Sequence, residues 1–234
     1  MGRGSFCAAE KLNDEMSLQV HGHPLSSYCQ KVLIAFHENA TPFEFSQIHW
    51  DDATSVADFE RLWPLKRMPV LRDGPVIVRE STIIIEYLAL HHPGPVRFLP
   101  ASPAEALEVR FMDRFFDNYV MAPMQRIVGN ALRPAGQRNA QDVNEARAML
   151  DTAYAWLDQA LQGRTWAAGS SFTLADCAAA PSLFYADWTH PVPSAFSNVR
   201  NLRSRLLQRP SFARVVDEAR PYRHLFPLGA PDRD

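Results

Sequence analysis

Alternating apolar and polar residues mark half-buried strands. They occur in the first third of this chain and disappear beyond a proline-rich break at His92–Pro103. That partition is the strongest constraint on the fold: one part must pair strands in a sheet, and the rest must pack helix on helix. Ser17–His21 alternates and reads as a strand, which Gly22, His23 and Pro24 break. Ser26 and Ser27 then offer N-cap hydroxyls to a helix whose core stripe is Val32, Leu33 and Phe36. Phe43–Ile48 alternates weakly as a second strand, and Asp51–Leu62 carries Val56, Phe59 and Leu62 at spacing three, stopping near Pro64. Met68–Ser81 reads as two strands about an Asp73-Gly74 turn, followed by a helix Thr82–His91 capped by Ser81.

The order strand, helix, strand, helix, strand, strand, helix predicts a thioredoxin-like domain over 17–91, an α/β unit with a four-stranded mixed sheet and helices on both faces. Residues 92–103 read as a linker, with four prolines and a glycine. Residues 104–234 read as an all-α helical domain, leaving a cleft between the two. Its helices are expected over Ala104–Leu132, bent at Pro123, over Asp142–Leu161, from Thr173, and over Asn198–Leu207 and Ser211–Ala219. Thr173 is the expected cap of its helix, with Asp176 reaching back from the third position. Asp176 therefore reads as a capping carboxylate rather than a catalytic acid, and Cys177 as a buried small hydrophobe. Residues 1–16 read as an N-terminal extension and are set aside.

Composition narrows the function classes. A formal charge of -2 gives no reason to expect nucleic acid or an anionic membrane as partner. No apolar run approaches the ~20 residues of a membrane span. Three cysteines without regular spacing argue against a disulfide framework and suit a reducing cytosol, so a cytoplasmic location is expected. The eight histidines show no zinc spacing, and no metal is expected.

Three features, Ser26-x-x-Cys29 at the first helix start, Met68-Pro69-Val70 followed by Arg79-Glu80-Ser81, and Phe172-Thr173-Leu174-Ala175-Asp176, occur in an order that resembles the cytosolic glutathione transferases, of the bacterial-type serine class like theta and zeta. The resemblance covers roughly Ser17 to Leu228. It implies an enzyme that activates the glutathione thiol for attack on a small electrophile, with glutathione as co-substrate and a homodimer as the assembly. A thiol near pKa ~8.5 is only a few per cent thiolate at neutral pH. A hydroxyl donor and helix-end N–H groups against the sulfur raise that fraction. Ser26 is the first candidate for the donor, and Ser27 and Tyr28 remain rivals, because a helix start read from sequence is uncertain by a few residues.

The resemblance also implies that Met68, before Pro69, offers its main chain to the cysteinyl part of glutathione. Glu80 and Ser81 would hold the γ-glutamyl end, and Arg67 the glycine end. Tyr28, Phe111, Arg114, Phe115 and Tyr119 are candidates to line the second-substrate pocket, although an aromatic stripe at this spacing also suits a core. A zeta-like isomerase or a thiol-dependent reductase shares these residues, and a non-catalytic binding module keeps the fold without the chemistry. Cys29 reads as structural, because Ser26 stands where a redox pair would carry its exposed cysteine.

Overall fold

The computed structural model describes residues 18–234, so the expected extension and Cys7 lie outside the described residues. Strands β1 (Gln19–Gly22), β2 (Glu44–Gln47), β3 (Val70–Asp73) and β4 (Val76–Arg79) form one sheet in the order β2-β1-β3-β4. β1 runs parallel to β2 and antiparallel to β3, and β3 pairs antiparallel with β4 across the Asp73-Gly74 turn. Alternation along β3 divides the core. Leu71 joins the main cluster beneath helices α1 (Ser27–Glu38) and α3 (Ser81–His91). Val70, on the other face, packs with Ile48 and with Phe59 of α2 (Ala53–Leu62).

The linker is pinned to the first domain. Asn39, just past α1, donates to the carbonyl of Val96 at 3.2 Å and accepts its N–H at 2.8 Å. Beyond it lie α4 (Pro103–Phe115), α5 (Ala122–Leu132), α6 (Ala140–Ala160), α7 (Leu174–Thr189), α8 (Ser197–Leu207) and α9 (Pro210–Ala219). The single long helix expected over 104–132 is interrupted by a π-helical turn at Phe116–Met121, just ahead of Pro123. Proline has no N–H with which to continue the α ladder, and the wider turn precedes it. Helix α7 starts as expected: the buried Asp176 accepts the N–H groups of Thr173 at 2.9 Å and of Ala167 at 2.8 Å. Among the described residues no helix is long and apolar enough to cross a membrane.

Polar side chains along α1 join it to the helical domain. Gln30 donates to the Tyr185 hydroxyl at 2.8 Å. Glu38 takes a bidentate pair from Arg209, at 2.6 and 2.5 Å, and a hydroxyl donor from Ser211. Lys31, 1% exposed, reaches two carboxylates of the α4 region.

Close packing under α1 also fixes one glycine. A methyl group on Gly22 would overlap Sγ of the buried Cys29. Gly22→Ala is expected to cost about 1–3 kcal/mol by overpacking, and adding Cys29→Ala to recover part of it. Urea unfolding of the single and double variants checks both.

Candidate active site

Ser26 is the N-cap of α1, its backbone extended at φ -75 and ψ 120. Its Oγ accepts the N–H of Cys29 at 3.4 Å, and its own N–H donates to His23 O at 2.9 Å. The hydroxyl thus stands at the positive end of the helix, where its proton is available to a ligand anion. Of its two rivals, Ser27 is buried inside the first turn, whereas Tyr28 borders the same cavity as Ser26. Burial pushes the Tyr28 phenol up to about 12, an effect that Asp117 strengthens and Arg114 opposes. Tyr28 is therefore a neutral O–H donor at physiological pH. Cys29 is fully buried, and burial pushes its thiol up to about 11 despite hydrogen bonding to Ser26 and His23. A thiol held protonated out of solvent is structural, not redox-active.

The cavity measures about 550 Å³, the size of an ordinary small-molecule site. Lys66, Arg67, Met68 and Pro69 form one border, with the Met68–Pro69 peptide cis. Glu80 and Ser81 stand at the start of α3. The cap position falls one residue earlier than expected. Glu80 occupies it with φ 70 and without a side-chain cap bond, and Ser81 is the first helical residue. A non-glycine residue in the left-handed region costs of order 1–3 kcal/mol, and such strain gathers at ligand sites.

The far wall comes from the long interrupted helix: Arg114, Asp117, Asn118 and, beyond the π turn, Gln125. Beneath it lies a closed charge cluster. Lys31 Nζ reaches Asp113 Oδ1 at 2.6 Å, Asp117 Oδ2 at 2.8 Å and Thr82 Oγ1 at 2.9 Å, one acceptor for each ammonium proton. Arg114 pairs with Asp113 at 2.7 Å and Asp117 at 2.6 Å, and also donates to Thr82. Burial raises the Asp117 carboxyl above the usual range, against the pull of Lys31.

The structure thus brings together Ser26, Tyr28, Arg67, Met68, Pro69, Glu80, Ser81 and Arg114. It does not bring the remaining three aromatic candidates there. Phe111, Phe115 and Tyr119 line a separate groove of about 700 Å³ with Met149 and Trp156 of α6. They recur every fourth residue and form one stripe, which the fold turns toward α6 instead of the cleft. Sequence reasoning missed Lys31, Lys66, Thr82, Asn118 and Gln125. Only Lys31 carried a signal, as a lone charge heading the apolar run Val32-Leu33-Ile34-Ala35-Phe36.

Two domain families match. The N-terminal domain of glutathione S-transferases covers residues 20–96, and the C-terminal domain of glutathione S-transferases covers residues 109–210. A probable maleylacetoacetate isomerase of Vibrio cholerae is 26% identical over 88% of this chain and 98% of its own length. Glutathione S-transferase GstB of Escherichia coli is 29% identical, covering 83% of this chain and 95% of that protein. The crystal structure of a glutathione S-transferase from Methylobacterium radiotolerans, in complex with glutathione sulfonate, is 31% identical. It aligns at a TM-score of 0.74 over 86% of this chain and 95% of its own. With both domains matched in order on a thioredoxin-like sheet followed by a helical bundle, this chain belongs to the cytosolic glutathione transferase family.

Proposed function

We propose that the cleft binds glutathione and holds its thiol as a thiolate for transfer to a small electrophilic molecule. One observation carries this reading: Ser26 at the head of α1 and Glu80–Ser81 at the head of α3 open onto the same cavity. Glu80 faces the γ-glutamyl ammonium, and the Ser81 hydroxyl with the α3 N-terminus takes the γ-glutamyl carboxylate. Met68 meets the cysteinyl backbone, Arg67 and Lys66 meet the glycine carboxylate, and Ser26 donates to the sulfur. These residues suit glutathione as co-substrate without a metal.

The test is a calorimetric titration of the full chain with glutathione, paired with an ultraviolet thiolate difference spectrum. Saturable binding with thiolate absorbance supports the reading. No binding at millimolar glutathione overturns it in favour of a non-catalytic module. The Vibrio cholerae relative supports a glutathione-dependent isomerase as the second reading; recovery of free glutathione and an isomerised product, in place of a conjugate, distinguishes it. A thiol-dependent reductase has less support, because Cys29 is sealed.

The strain at Glu80 gives a sharper expectation. Glu80→Gly removes the side-chain carboxylate that faces the γ-glutamyl ammonium and relaxes the left-handed backbone. Glutathione affinity should fall at least about ten-fold, the scale of one charge-assisted bond, while stability holds or rises by up to ~1 kcal/mol. Calorimetry and urea unfolding read the two effects separately, and unchanged affinity would remove Glu80 from the site.

We further propose a homodimer in the cytoplasm. The groove of Phe111, Phe115, Tyr119, Met149 and Trp156 and the exposed Ile83, Leu90 and Leu107 supply the apolar surface, and the buried free thiols of Cys29 and Cys177 suit a reducing compartment. Light scattering should give twice the chain mass.

A further inference from the structure

With the glutathione half of the cleft assigned, what remains for the second substrate is Tyr28 and the wall Arg114, Asp117, Asn118 and Gln125. Apart from the ring of Tyr28, that remainder holds no aromatic or aliphatic side chain among the described residues. The aromatic residues that could have built an apolar pocket lie in the groove against α6. We infer that the electrophile is a small, uncharged molecule activated by a carbonyl group, recognised through hydrogen bonds and not through apolar burial; the inference rests on the glutathione-binding reading above.

Two observations select an uncharged ligand. Arg114 is the cation nearest this remainder, but Asp113 and Asp117 already engage its guanidinium. Counted with Lys31, two cations balance two carboxylates, so the wall offers no net positive charge to an anion. A substrate carboxylate would meet Asp117 without an unshared cation to offset it. Lys66 and Arg67, which also line the cavity, are assigned to the glycine end of glutathione in the reading above.

Two further observations select hydrogen bonding. Asn118 and Gln125 are exposed within the cleft, and each amide presents both donor and acceptor atoms. Seating an apolar aryl or alkyl halide there would desolvate the amides without replacing their water contacts, which a polar site penalises strongly. Tyr28, two residues beyond Ser26 and lining the same cavity, supplies a neutral O–H donor.

A conjugated carbonyl uses every one of these groups. The thiol proton leaves to solvent, and the thiolate forms a carbon–sulfur bond at the β-carbon. The double-bond electron pair moves toward the carbonyl oxygen, where the Tyr28 hydroxyl donates a hydrogen bond to the developing enolate. Water then supplies the proton at the α-carbon, so the adduct is glutathione plus acceptor, with no oxidant or leaving group needed.

The test compares three probes at saturating glutathione: methyl trans-4-oxo-2-pentenoate, its free acid, and benzyl chloride. Each kcat/KM is divided by the uncatalysed rate constant with glutathione. The ester should show at least about ten-fold more acceleration than either of the others, within the range that hydrogen-bonding sites achieve. Tyr28→Phe should lower the ester value about ten-fold more than the benzyl chloride value, with the thiolate absorbance retained. The double variant Asn118→Leu/Gln125→Leu should shift preference toward benzyl chloride. Preference for the acid or for benzyl chloride in the wild type overturns the inference. So does loss of thiolate in Tyr28→Phe, which would put the phenol on the sulfur instead. Wild type that binds no glutathione brings down the underlying reading, a result the titration shows before any electrophile is added.

Discussion

Lys31→Met is expected to lower folding stability by about 3–5 kcal/mol, the cost of removing one partner from a buried ion pair. The substitution keeps the length and apolar stem of the side chain but leaves Asp113 and Asp117 facing each other with only Arg114 between them. Both carboxylates are buried, so water does not compensate for the missing ammonium. The effect should depend on pH in a defined direction. Asp117 already sits above the usual carboxylate range, and losing Lys31 raises it further. A carboxyl whose folded pKa is raised favours the folded state most at low pH, and that support fades as pH rises through the folded value. The penalty in Lys31→Met should therefore ease as the pH is lowered from neutral, before the ordinary carboxylates protonate. Urea unfolding at neutral and at mildly acid pH measures it. Adding Asp117→Asn restores the charge balance and should recover part of the loss; no recovery would show that the contact mattered for shape and not for charge.

Ser26→Ala is expected to reduce conjugation about 10- to 100-fold at neutral pH with little change in glutathione affinity. A hydrogen bond to a charged group is worth about 1.5–3 kcal/mol, which corresponds to one to two pKa units of the bound thiol. Most of the contacts assigned to glutathione lie at Glu80, Ser81 and Met68, so binding survives while the thiolate fraction drops. The same substitution removes the helix cap, but its hydrogen bond to Cys29 is long at 3.4 Å. The stability cost should stay near the low end of the cap range, about 0.5–1 kcal/mol. A pH titration of the thiolate absorbance in wild type and variant separates the two effects. An unmoved midpoint would transfer the role to Tyr28 or to the N–H groups of α1.

What the sequence made legible follows from which residues announce themselves locally. The order of strands and helices, the turn at Asp73-Gly74 and the Thr173–Asp176 start of α7 all depend on neighbours in the chain, and they were readable. Ser26 stands out as a hydroxyl at the head of a helix, whereas Glu80 and Ser81 enter as site candidates only through the resemblance to the glutathione transferases. The far wall was not. Arg114 and Asn118 differ from Phe111, Phe115 and Tyr119 only in which way the helix is rotated, and periodicity gives the stripes without saying which one meets the cleft. The π-helical turn adds to the difficulty, since it changes the period between Phe116 and Met121. Lys31 needed tertiary partners 82 and 86 positions away, at Asp113 and Asp117, and no local pattern encodes them.

The ties along α1 bear on how the molecule comes apart. At Gln30, Lys31 and Glu38 its first helix carries polar groups that reach partners beyond the linker, at Tyr185, Asp113, Asp117 and Arg209. Cutting the chain at residues 92–103 would leave an ammonium, a carboxylate and an amide facing water from a surface otherwise built for burial, next to the bared apolar side chains of the same face. The proline-rich segment is therefore a division in architecture and not in cooperativity. Heat or denaturant should melt sheet and bundle together in one transition, and a fragment ending at the linker should be a sticky, poorly ordered species and not a miniature glutathione-binding protein.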